Sequence, residues 1–192
     1  MSRPPAPAYR NEGEHALWHI SDNPSIARFK PHRAPTSEVD EPRVWAIDTR
    51  HAPIYWFPRD CPRCTFWASE QTQHEDVFTY LGGDPLQRVH VFEESWRARL
   101  EVATVYAYRL PEESFEPDPD GTTGYWVSRE TVEPVERVAL DDLVGRHFDA
   151  GIYLESVGNL WPLWDQVTTS SLEFSGIRLR NAQPHPAAGA PA

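Results

Sequence analysis

Apolar and polar positions alternate along this chain in short blocks separated by prolines, a pattern of many brief strands rather than long helices. Ala16-Leu17-Trp18-His19-Ile20 and Val44-Trp45-Ala46-Ile47 read as buried strands, the second ending at Asp48-Thr49. Cys64 to Ala68 reads as a third. Arg88 to Leu110 is strand-like with a break near Glu93 to Arg97. In its second half Val102, Thr104, Tyr106 and Tyr108 oppose Ala103, Val105 and Ala107. Pro111 to Thr123 is acidic and carries Gly and Pro, as a hairpin excursion does. Tyr125-Trp126-Val127, Val135 to Val138, Ile152 to Val157 and Ile177 to Leu179 complete the expected strands.

Helical spacing is confined to a few places. Asp22-Asn23-Pro24 offers a helix start with Ile26 and Phe29 as contacts, and Pro53 presets a short turn carrying Ile54 and Tyr55. Leu140, Leu143, Val144, His147 and Phe148 fall on one helical face, with Asp141 and Asp142 at the start and Gly151 as the stop. Asn159 can cap a further helix whose Leu160, Leu163, Trp164 and Val167 line one face. The fold class is therefore α+β, with small mixed or antiparallel sheets and short helices.

Length supports one substantial core. At 192 residues and 40% hydrophobic, a single domain over 15–182 is expected. Residues 1–14 and 183–192 are Pro/Ala-rich or polar and read as disordered tails; Pro31 to Pro42 reads as a loop. Eighteen basic residues against twenty-nine acidic ones give a net charge of −11, the wrong sign for broad nucleic-acid binding. Lys30 is the single lysine, a bias assigned to codon usage rather than to function. The expectation is a soluble cytoplasmic protein: no stretch is apolar enough to span a bilayer, and the proline-rich start lacks a secretory h-region.

Candidate chemistry concentrates in Tyr55 to Trp67, which holds five aromatic residues, Pro58, Pro62, Arg59, Asp60, Arg63 and both cysteines. Pro58 and Pro62 lack the amide hydrogen of a sheet ladder and bias Phe57 and Cys61 away from helical angles. A rigid loop presenting Arg59, Asp60 and Arg63 follows. Guanidinium groups suit phosphate or carboxylate, while an internal Arg–Asp pair fixing the loop explains the same residues. Cys61-Pro62-Arg63-Cys64 has the spacing of a redox or zinc motif. No second CxxC or histidine pair accompanies it, so two unlinked thiols are the simpler expectation and no metal is assigned. No nucleophile elbow, phosphate-cradling Gly-rich loop or HExxH occurs. His19, at a strand end beside Ser21-Asp22-Asn23, is either a satisfied structural histidine or a site residue.

Leu17-Trp18-His19-Ile20-Ser21, with Ile26 and Phe29-Lys30-Pro31, resembles the first strand and turn of ADP-ribosyltransferase-like proteins, a group that includes the RNA 2′-phosphotransferases. Val44-Trp45-Ala46-Ile47-Asp48 with Ala52 and Tyr55 is similar to their second strand and following helix. Tyr125-Trp126-Val127-Ser128 with Val132, Pro134 and Val138 resembles their late strand. There the chain departs from the pattern: where those transferases hold a glutamate it has Gly124-Tyr125-Trp126, and the nearest acid is Glu130. The resemblance implies an ADP-ribosyltransferase-like architecture binding NAD or a related nucleotide. His19 and Tyr55 would be catalytic, and Ser21, Asp48, Arg59, Asp60 and Arg63 would line the ligand site. His19-Ile20-Ser21, Pro58-Arg59-Asp60-Cys61-Pro62-Arg63 and Asn159-Leu160-Trp161-Pro162-Leu163-Trp164-Asp165 also resemble an uncharacterised family of small bacterial proteins. Two other readings stand beside the transferase. One is a non-catalytic binder of a small anionic ligand or protein partner; the other is a zinc or redox protein centred on Cys61 and Cys64.

Overall fold

The computed structural model describes residues 16–33, 41–119, 121 and 123–186. The expected N-terminal tail and most of the Pro31 to Pro42 loop lie outside these residues, as does the end of the C-terminal tail. In chain order the elements are β1 (Leu17–Ser21), β2 (Val44–Asp48), β3 (Arg63–Trp67), α1 (His74–Leu81), β4 (Arg88–Glu93), α2 (Arg97–Val102) and β5 (Val105–Leu110). There follow β6 (Glu116–Pro117), β7 (Tyr125–Ser128), β8 (Glu136–Leu140), α3 (Leu143–Asp149), β9 (Ile152–Val157), α4 (Trp161–Val167) and β10 (Glu173–Ile177). The α+β expectation holds. Among the described residues no helix is long and apolar enough to cross a membrane.

The chain divides into two compact units, each drawn from two separate stretches. The first takes the described residues up to Trp56 together with Thr104–Asp141. It is a six-stranded antiparallel sheet in the order β6-β7-β2-β1-β5-β8. Register sets its faces: Leu17, His19 and Ser21 pair with Leu110, Tyr108 and Tyr106, and paired residues share a face. On that face Leu17, Val44, Ala46, Tyr108 and Leu110 pack with Phe29 and Val132 into a core.

The expected helix after Asp22 does not form. The Ser21 hydroxyl accepts the Asn23 amide at 3.2 Å, and Asn23 Oδ1 accepts the Ser25 amide at 2.9 Å. Tyr108 then donates its hydroxyl hydrogen to the Asn23 carbonyl at 2.6 Å and accepts the Ile26 amide at 3.1 Å. Side chains have claimed the backbone groups a helix would use.

The second unit comprises Phe57–Ala103 and the described part of the chain after Asp142. Its four-stranded sheet runs β10-β3-β4-β9, antiparallel except for the parallel β4–β9 pair. One face carries Cys64, Phe66, Val89 and Val91, packed under Val77 and Leu81 of α1 and under Leu160 and Val167. The other carries Arg63, Thr65 and Trp67 opposite Phe92, His90 and Arg88.

Several elements differ from the expected pattern. The strand proposed from Val102 starts only at Val105, because Arg97–Val102 is made of good helix formers anchored by the buried Leu100. Helix α1 is not announced by the hydrophobic pattern. It buries only Val77 and Leu81, and Gly82 ends it in the left-handed region at φ 63°. Leu140 ends β8 rather than joining a helix, and Phe148 is 83% exposed. Helix α3 begins after Asp142, whose carboxylate accepts the Gly145 amide at 3.1 Å. The last strand lies at Glu173–Ile177 rather than Ile177 to Leu179, since Arg178 at φ 59° turns the chain out of the ladder.

The start of the proposed C-terminal tail is held. The Gln183 amide donates to Glu93, the Trp161 indole donates to the Gln183 carbonyl, and Asn159 donates to the Pro184 carbonyl.

Candidate functional site

In the first unit, the end of β2 turns sharply and gathers polar groups. Asp48 Oδ1 accepts both the His51 backbone amide at 2.8 Å and the His51 Nδ1 hydrogen at 2.7 Å. The carboxylate thereby holds both the backbone and the ring of His51, the residue that precedes the 3-10 turn Ala52–Tyr55. Gly124 makes this possible. It sits opposite Asp48, whose amide donates to the Gly124 carbonyl at 2.9 Å. A Cβ at position 124 would lie 2.3 Å from His51 Nδ1, and the backbone there has φ +82°. The ring therefore lies on bare backbone that only glycine leaves open.

With Nδ1 committed to a carboxylate, neutral His51 carries its lone pair on Nε2. Beside it, the Tyr55 and Tyr125 hydroxyls meet at 2.8 Å. The Tyr125 ring makes edge-on contacts with Tyr55 at 6.4 Å and Trp45 at 6.2 Å. All three rings are half-buried, so aromatic faces and a tyrosine hydroxyl pair adjoin an oriented histidine.

Of the residues singled out from sequence, Asp48 and Tyr55 fall in this corner. His19 shares the sheet face of Asp48, since Leu17 pairs with Asp48, but not that of Tyr125. Tyr125 pairs with Ile47, and Ile47 with Trp18, which puts Tyr125 on the side of the sheet opposite His19. His19 Nδ1 donates to the Trp45 carbonyl at 3.0 Å, and its ring packs on Phe29 at 4.6 Å. Ser21 is buried and serves its local turn.

In the second unit, Arg59 and Asp60 are exposed at the proline loop. Arg178 braces that loop by donating to the Arg59 carbonyl at 3.3 Å and facing the Asp60 carboxylate at 3.7 Å. Asn181 donates to the Asp60 carbonyl at 2.8 Å. Arg63 was expected at the loop tip. It instead opens β3 and is 2% exposed, donating to the Cys61 carbonyl at 2.9 Å with its guanidinium 5.1 Å from the Phe57 ring.

Cys61 and Cys64 are free and buried. Burial pushes both thiols up to about 12, with Arg63 opposing the rise at Cys61. Both therefore stay protonated, whereas metal binding and thiol exchange use the thiolate. Among the described residues no group of three or more His, Cys, Asp or Glu side chains is arranged to hold a metal ion.

The sequence reading missed His51, His90 and His147. His147 Nδ1 donates to the Leu143 carbonyl at 2.7 Å, and His147 Nε2 lies 3.0 Å from His90 Nδ1. Both imidazoles are fully buried. The available signals were Asp48 three residues before His51, and the alternation Arg88-Val89-His90-Val91 inside a strand. Neither announces a partner fifty or more residues away.

Comparison with known proteins places the chain without assigning it chemistry. No curated protein and no solved structure matches it. A family model does match, over residues 18–182, which takes in both units; the chain belongs to DUF6886, a family of unknown function.

Proposed function

We propose that the protein is an enzyme acting on a nucleotide-type ligand, NAD or a related nucleotide, with His51 as its general acid–base group. The observation that carries this reading is the 2.7 Å Asp48–His51 pair seated on the Gly124 backbone. A histidine whose tautomer is fixed by a carboxylate is poised to move a proton at Nε2. The half-buried Trp45, Tyr55 and Tyr125 rings supply faces on which a base or nicotinamide ring stacks. The similarity of β1 and β2 to ADP-ribosyltransferase-like strands supports the same ligand class. In this reading Asp48 orients His51, and Tyr55 offers its hydroxyl to the ligand. His19 is a positioning residue that holds the Trp45 backbone rather than touching the reacting atoms.

The test is a thermal-shift and turnover series with NAD and nucleoside phosphates on the wild type, His51→Gln and Asp48→Asn. A ligand that binds only the folded state raises its stability. NAD or a nucleotide should stabilise the wild type, and turnover should fall roughly 100-fold or more in His51→Gln, within the usual range for general acid–base groups. Binding should survive that substitution. Silence across all nucleotides with the wild type would refute this reading.

A second reading is a non-catalytic binder of a small anion or protein partner through the exposed Arg59–Asp60 loop, which Arg178 and Asn181 brace. Arg59→Ala should then abolish the thermal shift given by an anionic ligand, while His51→Gln leaves it intact.

A further inference from the structure

The segment Gln183 to His185 is held against the second unit by side chains that meet its backbone group by group. Both oxygens of Glu93 accept the Gln183 amide, at 2.9 and 3.0 Å. The Trp161 indole donates to the Gln183 carbonyl at 2.8 Å, and Asn159 Nδ2 donates to the Pro184 carbonyl at 3.0 Å. Beyond the proline, the His185 ring packs on the Trp161 ring at 5.1 Å and donates from Nε2 to Asp165 at 3.1 Å. Successive backbone groups therefore find side-chain partners, while an indole face and a carboxylate select one side chain. Peptide recognition divides the work in the same way: main-chain bonds give affinity and side-chain contacts give specificity.

The receiving surface is built by the sheet and not by the segment that lies on it. β4 and β9 run parallel with Glu93 opposite Val157, so the turn after β9 brings Asn159 and Trp161 beside the end of β4. Asn159 is oriented by its own neighbour, since its Oδ1 accepts the Trp161 amide at 2.9 Å and Nδ2 is left as the donor toward Pro184. Glu93 is 1% exposed and also accepts the Leu160 amide at 3.3 Å. A buried carboxylate is costly unless donors compensate it, so this position calls for a backbone N–H from whatever chain crosses it. The occupying segment is different in kind. Ala182 leads into it in extended backbone at φ −69° and ψ 165°, and both Gln183 and Pro184 are exposed. It can leave without opening the core.

We propose that Glu93, Asn159, Trp161 and Asp165 form a peptide-recognition surface that the chain's own Gln183-Pro184-His185 occupies in cis. Its partner in trans is an extended segment of another protein with the same chemistry: a residue with a free backbone amide, then proline, then histidine. The surface lies in the second unit and stands independently of the His51 reading. The tail is a built-in competitor. A tethered segment acts at an effective concentration on the order of mM, so a partner binds where it displaces the tail or where the tail has been released.

The experiment titrates a fluorescein-labelled peptide of residues 181–186 with the full-length protein and follows fluorescence anisotropy. Gln183→Pro removes the amide that Glu93 holds, and His185→Ala removes the contacts to Trp161 and Asp165. Neither alters a side chain of the receiving surface, and His185→Ala changes only a half-buried residue of the tail, so the test does not hang on one variant folding. Both variants should bind the peptide roughly tenfold more tightly than the wild type, because the competitor in cis is weakened. Methylating the Gln183 amide nitrogen of the peptide should weaken its binding to His185→Ala roughly tenfold, since Glu93 then lacks its donor. Equal binding to all three proteins, no binding to any of them, or binding that ignores the methyl group overturns the proposal. Self-association of the wild type that His185→Ala abolishes would assign the surface to a second copy's tail and overturn a separate partner.

Discussion

At position 124 the absence of a side chain is what gives His51 its place. The φ of +82° already disfavours any L-residue, and an added Cβ would meet the ring at 2.3 to 2.9 Å. Gly124→Ala should therefore cost at least about 1 kcal/mol from backbone conformation alone. It should also push His51 off Asp48. Urea denaturation measures the first effect, and the histidine nitrogen resonances report the second. An unchanged midpoint with an unchanged His51 signal would show that the ring does not depend on the bare backbone. Such residues are hard to read in sequence. Asp48 and Tyr55 stand out beside an apolar strand and a proline turn, but His51 acquires meaning only through Gly124, far along the chain. Arg63 shows the reverse error: its neighbours are loop-forming prolines, yet the strand ladder with Phe92 and Ile177 draws it inside.

Elements with a full apolar stripe or clear alternation were legible. β1, β2, β7, β9 and helix α4 appear within a residue or two of their expected positions, because each is a short apolar-rich run bounded by turns or caps. Helix α1 buries too little to show a stripe, and α2 hides among β-branched neighbours. Asn159 illustrates a legible end: its Oδ1 accepts the Trp161 amide at 2.9 Å, and its Nδ2 donates to the Pro184 carbonyl at 3.0 Å. Asn159→Ala should destabilise the protein by about 1 kcal/mol, the usual cost of removing a helix-start acceptor. Asn159→Asp should recover only part of this, since it accepts from Trp161 but cannot donate to Pro184. A denaturation midpoint for Asn159→Asp equal to that of the wild type would leave the Pro184 contact without energetic weight.

Across the whole molecule, the buried histidine pair links stability to pH. Burial holds His147 down at about 4, and burial together with His147, Arg88 and Arg63 holds His90 well below 6.5. The unfolded chain takes up protons near 6.5, while the folded chain refuses them until lower pH. Stability is therefore intact above about pH 6.5 and is lost as pH falls toward about 4, by about 1.4 kcal/mol per pH unit for each histidine. Urea midpoints measured across that window should fall with pH, and the slope should flatten in His147→Asn. A midpoint independent of pH would mean that neither histidine differs between the folded and unfolded chain.

By itself the sequence determined the α+β class, the positions of most strands, the proline loop and the family resemblance, because these depend on local periodicity and on the angles proline allows. Only the tertiary structure decided that the chain forms two units, each built from two separate stretches. It alone set His51 on Gly124, linked His90 to His147 across 57 residues, and buried Arg63. Those outcomes come from long-range register and packing. A side chain's partner across a sheet is fixed by strands that meet only after the chain has folded.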